Sequence, residues 1–505
     1  MTASLLPYTL LFTGILLAAN LLRKKEGLVR AVALALLAWT LLESGWSILQ
    51  TLRDGVANYR YPFIVTGSFR SPAPFGALIA IGLVTAVVSI VRLRKERDLL
   101  SRIQYILSLI VLIPGSIALI VSRSRAAWVA LLVSLLILLF RETGFGKWIR
   151  KRRLVAVAAV ALLILTGAGM FLMKPDSAIG RFHIWHMECR VMAEHPWKGV
   201  GFEKMFKVYG DVQSEYFQQK ERPQIIVRVA DSPVYAFNEY LKFGMAWGIG
   251  GLLLSLAVAA GGVWMLFRKR SILAYAALLY AVFAFASFPL SVPQLKVLGT
   301  VLLALAIAPD GKRHPWWLLA LWGIAFCVAT VAAIRTYPEE KARRNAERVW
   351  RSALMSKQDI ENFIARLQPL YSSLKDNPMY LYQYGFVLYQ SGAYEESNRI
   401  LQQGADRSCD PALHTTMAQN HLALGNYEAA ESELMKAHWL APSRIAPLWM
   451  LMRMYADSGR TAEAIETGRA IQDMPVNQNN ADMVALYDQA IALLNELENT
   501  KKQYP

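Results

Sequence analysis

Residues 180–201 read GRFHIWHMECRVMAEHPWKGVG and place His183, His186 and His195, with Glu188 and Cys189, between Arg181 and Arg190 and the residues that follow. On a helix, His183 and His186 lie one turn apart, and Arg190 shares the face of His186 at i,i+4. Zinc would draw on His183, His186, Glu188 or Cys189. Structural zinc spacings, however, are Cys-x2-Cys pairs or two His at i,i+4, which this stretch does not supply. No third group is indicated to orient a Cys–His nucleophilic pair. The expectation is therefore no metal and no cofactor, with arginine as the working residue type. Two further stretches carry reactive types. SRSRAAW (122–128) offers Arg123 and Arg125, whose planar guanidinium forks match phosphate oxygens by paired, charge-assisted hydrogen bonds. Two arginines that merely reach toward lipid headgroups are the simpler reading of the same residues. FNEYLKFGMAWGIGG (237–251) offers Asn238 and Glu239 at a helix start, with glycines spaced for close helix packing.

These stretches lie between long apolar runs. The chain has 505 residues, 55% of them hydrophobic, and several segments of 17–22 residues carry no charge, enough to cross a hydrocarbon core of roughly 30 Å. Runs near 5–22, 29–50, 74–91, 103–121, 126–140, 154–173, 240–266, 272–288, 295–309 and 316–334 predict about ten transmembrane helices. No Lys or Arg precedes the first run and RKKE follows it, the reverse of a secretory signal, so 5–22 is expected to be a retained span.

The charge of +17 is uneven: residues 1–335 hold 37 Lys+Arg against 16 Asp+Glu, and residues 336–505 hold 17 against 21. The excess sits in short loops. RKKEGLVR, RLRKERD, RETGFGKWIRKRR, RKR and DGKRH, with Arg102, hold 20 basic residues against five acids and alternate with poorer loops. That pattern orients membrane helices and calls for no nucleic acid. It puts 174–238 and both termini outside the cytoplasm. Three cysteines make no disulfide framework; Cys327 is expected in a core, and Cys189 with Cys409 could pair only in a shared oxidising compartment.

After Arg335 the composition becomes that of soluble amphipathic helix. SGAYEES, LGNYEAAES and SGRTAEAIE recur with Gly392, Gly425 and Gly459 spaced 33 and 34 residues apart. This resembles the tetratricopeptide repeat. The expected fold is all-α: a polytopic membrane domain over 1–335 with a periplasmic loop 174–238, then a tetratricopeptide-like α-solenoid over 336–499. Such arrays mostly bind proteins or peptides, so a protein partner on the repeats is expected.

Together the motifs resemble the O-antigen ligase and polymerase family of bacterial membrane glycosyltransferases. TGSFRSPAPFGALIA (66–80) is similar to the family's outer-loop segment, and SRAAWVAL (124–131) to its Ser-Arg-small-small-Trp motif. Residues 180–205 are similar to its Gly-Arg…Trp…His-Pro…Gly-x-Gly stretch; Asn238, Tyr240, Leu241, Gly248 and Gly251 match its Asn-x-Tyr-Leu…Gly-x-x-Gly segment. The resemblance covers roughly 60–260. It implies transfer of a glycan from undecaprenyl diphosphate to a lipid or protein acceptor hydroxyl, at the periplasmic face of the inner membrane. It also implies that Arg125 and Arg181 hold the diphosphate, with Arg123, Arg190, His186 and Asn238 as substrate-binding residues around them.

Two positions depart from the pattern. The family's histidine before the Asn is Phe237, which cannot accept a proton, and the Glu eight residues after the Asn is Ala246. Glu239, Asp231 and His186 are the candidate replacements, with Glu239 counted among the catalytic residues. The alternative reading is a non-catalytic envelope assembly protein that binds lipid-linked glycan and recruits partners through its repeats. A transporter is disfavoured because Glu43 is almost alone as an intramembrane charge.

Overall fold

The computed structural model describes residues 2–22, 25–54, 65–143, 175–220, 222–308, 315–355, 359–476 and 480–503. Among these every regular element is helical. Five helices are long and apolar enough to cross a membrane: Glu26–Leu52, Pro72–Leu93, Leu99–Ser122, Glu239–Arg268 and Trp316–Met355. Leu6–Asn20, Ala274–Phe285 and Pro293–Ile307 are shorter apolar helices. The expected span 154–173, most of the basic loop 141–153 and the DGKRH loop lie outside the described residues.

The chain forms two compact units. The first comprises Met1–Met173, Tyr235–Phe243 and Gly251–Thr336. Its centre is helix Pro72–Leu93, which starts after Ser71 with proline in its first turn, where no amide donor is needed. Phe75, Leu78, Ile79 and Ile81 are fully buried there against Ala127, Tyr275, Leu279 and Leu295. Gly76 lets this helix approach the 122–124 turn; a Cβ would sit 2.6 Å from that of Ser124. In contrast, Leu253, Leu254, Trp264 and Val328 are exposed. Large unpartnered apolar faces of this kind suit hydrocarbon rather than water. Cys327, expected in a core, is on such an exposed face, because this helix presents most of its apolar residues outward. Part of the basic excess also has packing work: Lys269 Nζ donates to the carbonyls of Ala306 (2.5 Å) and Ala308 (2.6 Å), closing the C-terminal end of Pro293–Ile307.

The second unit comprises Lys174–Val234, Gly244–Gly250 and Tyr337–Pro505. Helix Trp316–Met355 runs unbroken through the composition change at Arg335. Beyond it come helix pairs Pro378–Gln390 with Tyr394–Ala405, Pro411–Ala423 with Tyr427–Leu440, and Ile445–Asp457 with Thr461–Gln472, followed by Ala481–Gln503. The three pairs share one turn. Gly392, Gly425 and Gly459 have φ of 83°, 78° and 76°. The next amides reach back five residues, Ala393 to Leu388 (3.0 Å), Asn426 to His421 (2.8 Å) and Arg460 to Tyr455 (2.8 Å). This is the Schellman closure, and its left-handed residue is cheap only for glycine. The recurring glycines are thus explained by backbone geometry, since nothing lies within 4 Å of a Cβ at any of them.

Candidate functional site

The SRSRAAW stretch is a tight reversal between two helices. Arg123 ends Leu99–Ser122 in the left-handed region, φ 50°, and its amide donates to the Ile120 carbonyl at 3.1 Å. Arg125 opens helix Arg125–Glu142. Ala126 and Ala127 are small because they are buried, and Trp128 Nε1 donates to the Leu119 carbonyl at 2.9 Å. Arg123 is exposed and Arg125 half-buried. A cation in the first turn opposes the helix dipole, whereas an anion bound there is favoured by both the dipole and the guanidinium.

The 66–76 segment is organised by buried polar groups whose role the sequence did not disclose. Glu43 accepts from Trp39 Nε1 (3.2 Å), the Ser68 amide (2.9 Å) and the Ser68 hydroxyl. Gln50 accepts from the Gly67 amide (3.0 Å) and donates to its carbonyl (2.9 Å). Glu43 is therefore a loop anchor with both carboxylate oxygens engaged.

Asn238 caps helix Glu239–Arg268, its Oδ1 accepting from the amides of Tyr240 (3.0 Å) and Leu241 (3.1 Å). Glu239 is buried; it takes the Leu290 amide on Oε1 (2.7 Å) and Lys242 on Oε2 (3.2 Å), and Lys242 also reaches Ser291 Oγ (3.1 Å). These bonds fix the 289–291 turn, which places Glu239 in a supporting network rather than open to a substrate hydroxyl. Phe237 is held at φ 53° with its ring edge-on to Phe288 at 5.3 Å, while Tyr235 stacks on Phe288 at 4.0 Å. An aromatic cluster thus occupies the place where the resemblance implies a histidine.

In the second unit, helix Pro175–Glu194 carries the opening stretch. At 3.6 residues per turn, Arg181 lies about 140° from His186 and about 180° from Arg190 around the helix. His186 and Arg190 meet over Tyr216, at 5.8 and 5.6 Å from its ring, where Arg222 stacks at 3.6 Å. The structure therefore brings His186 and Arg190 together and leaves Arg181 on the other side of the helix. His183 is buried, and its Nε2 donates to Gln213 Oε1 at 3.0 Å. Burial pushes its pKa down to about 4, with the nearby His186 adding to the shift. Its position is that of a neutral structural imidazole, and among the described residues no group of three His, Cys, Asp or Glu could hold a metal.

Gln213 is the residue that sequence reading missed. Its Oε1 also accepts from Tyr209 (2.9 Å), and its amide donates to the carbonyls of Leu440 (2.6 Å) and Asp231 (3.3 Å). Beside it, Gly210 packs on Cys409 and Leu440. Asp231 pairs with Arg444 at 2.8 Å, which occupies a carboxylate considered above as a base. Cys189 and Cys409 are free thiols, one exposed and one buried. No periodicity announces Gln213, because all its partners but Tyr209 are distant in sequence.

The two glycine motifs explain each other. Helix Glu239–Arg268 breaks at Trp247–Gly248, where Gly248 has φ 68°. The freed carbonyls of Met245 and Ala246 accept from Val200 (2.8 Å) and Gly201 (3.0 Å), and the Ile249 amide donates to the Pro196 carbonyl (2.7 Å). Gly199, at φ 63°, lies so close that a Cβ would be 2.5 Å from the Ala246 carbonyl. The His-Pro-Trp-Lys-Gly-Val-Gly loop is thereby stitched to the broken helix, with Phe202 edge-on to Trp247 at 5.2 Å.

Residues 109–256 match the family model for the O-antigen ligase domain. The matched stretch takes in Arg123, Arg125, Arg181, His186, Arg190, Asn238 and Glu239, in less than a third of the chain. It supports the ligase/polymerase class of glycosyltransferases, and with the apolar helices it supports a multi-pass membrane protein. No curated protein matches the chain.

Proposed function

We propose that this chain transfers a glycan from undecaprenyl diphosphate to an acceptor hydroxyl at the periplasmic face of the inner membrane, with its C-terminal tetratricopeptide-like repeats in the periplasm. The observation that carries the reading is the ligase-domain match, which spans both motif arginines. The leaving group is a lipid diphosphate of low pKa, so departure needs charge stabilisation more than an acid. Arg125 and Arg181 supply that charge without a metal. Arg123, Arg190, His186 and Asn238 are the further residues proposed to contact the donor or acceptor; Asn238 also fixes the helix start that carries Glu239. A general base contributes about 10²–10⁴-fold. With Phe237 in the histidine position and Glu239 and Asp231 engaged elsewhere, exposed His186 is the remaining candidate base, and the reaction otherwise runs on positioning and on stabilisation of the leaving diphosphate.

Phe237 also favours a second reading, a non-catalytic protein that binds lipid-linked glycan and recruits partners through the repeats. A deletion strain separates the two when complemented with wild type, Arg125→Ala, Arg181→Ala and Asn238→Ala, reading surface glycan and glycoprotein together. Loss of a glycan product that neither arginine allele restores, at normal expression, is the expected result; the vanished product identifies the acceptor. Full complementation by both arginine alleles would sink the transferase reading and leave the assembly protein.

A further inference from the structure

The second unit contains a cleft of about 750 Å³, within the range of roughly 300–1,000 Å³ typical of ligand sites. It is composite. Asp176, Arg228 and Asp231 come from the 174–234 segment, and Arg444, Ile445 and Met483 from the repeat region. Its junction is fixed: Ser443 Oγ donates to the Ala230 carbonyl at 3.0 Å, and Arg444 Nε donates to Asp231 at 3.0 Å. The Gln213 network reaches the same junction through the Asp231 carbonyl.

The lining defines the ligand. Ile445, Val476, Met483 and Leu486 give an apolar floor. Methionine among such residues adapts to varied side chains, a habit of peptide-binding surfaces. Two ion pairs stand in the wall, Arg228–Asp176 at 2.5 Å and Arg444–Asp231 at 2.8 Å, each about half exposed. The Arg228–Asp176 pair keeps spare N–H donors and carboxylate lone pairs for the amides and carbonyls of a backbone laid across it, whereas the Arg444 guanidinium is also shared with Ser232 and Asp410. Asp482, exposed in the lining, makes no ion pair among the described residues. Three aspartates against two arginines leave one negative charge in excess, which disfavours a diphosphate and favours a basic side chain. No described residue of the lining is aromatic, so a sugar ring has no flat platform to stack on.

We infer that this cleft binds an extended polypeptide segment carrying apolar and basic side chains. The inference stands apart from the diphosphate site and does not depend on which acceptor that site serves.

The test uses the full chain in phosphatidylcholine nanodiscs and a fluorescein-labelled octapeptide of alternating Val and Lys, followed by fluorescence polarisation. Saturable binding is expected above empty discs. Asp482→Lys and Met483→Glu, each checked for unchanged thermal unfolding, should weaken it by about tenfold. Arg125→Ala should bind like wild type, which keeps a failure here separate from a failure of the transferase reading. Three results overturn the inference: a Val/Glu octapeptide that binds as well, displacement by the neutral oligosaccharide maltoheptaose, or no response to either cleft substitution.

Discussion

Two buried side chains show how residue type and surroundings decide role. His183 looked like a metal ligand by type, yet its neighbours make it neutral and structural. Its folded pKa near 4 lies below the unfolded value of about 6.5, so the unfolded chain binds the extra proton between these limits. Stability from this site is full above about pH 6.5 and falls as pH drops toward 4, by on the order of 2–3 kcal/mol. His438, half-buried but with its pKa pushed down to about 4 by desolvation, acts in the same direction. Thermal unfolding of the full chain at pH 7.5 and 5.0 should show a drop that is smaller in His183→Gln; an equal drop would remove the assignment. Arg125 stood out in sequence through its guanidinium and the Ser-Arg-small-small-Trp resemblance, and the structure places it at the start of helix Arg125–Glu142. Gln213 did not stand out, since its value comes from Leu440, 227 residues away.

At the scale of elements, the glycines divide into two kinds. Gly201 has φ 75° and open space around it, so Gly201→Ala should cost only backbone strain, about 1 kcal/mol. Gly199 has the same hand of backbone, but a Cβ there would sit 2.5 Å from the Ala246 carbonyl, so Gly199→Ala must also push the 195–202 loop off the broken helix. Hydrogen exchange should show Val200 and Gly201 amides deprotected in Gly199→Ala and retained in Gly201→Ala. Equal protection in both would contradict the stitched arrangement. The motif glycines were visible in sequence, but their mutual bonding was not, because spacing within one motif says nothing of its distance from the other. Helix was legible in the apolar runs and in the 33- and 34-residue recurrence, but not in Met205–Gln219 and Gln224–Val229, which lie in the stretch read as a loop.

For the whole molecule, outward apolar faces on Glu239–Arg268 and Trp316–Met355, together with the ligase-domain match, support a multi-pass membrane protein of the ligase/polymerase class. The reading from sequence assigned 174–238 to the membrane domain as a loop. The structure packs Lys174–Val234 with Tyr337–Pro505, through buried polar contacts that hydropathy does not register. Under the proposed function this gives the repeats a second task, that of holding the segment that bears Arg181. The measurement that tests the central claim most directly is release of undecaprenyl diphosphate by the purified full chain from a glycan-linked donor, in the presence of EDTA. Wild type should release it, with Arg125→Ala and Arg181→Ala each lowering the rate by about 10²–10³-fold. Equal release by wild type and both variants, or none from wild type with donor and acceptor present, would contradict an arginine-based transferase.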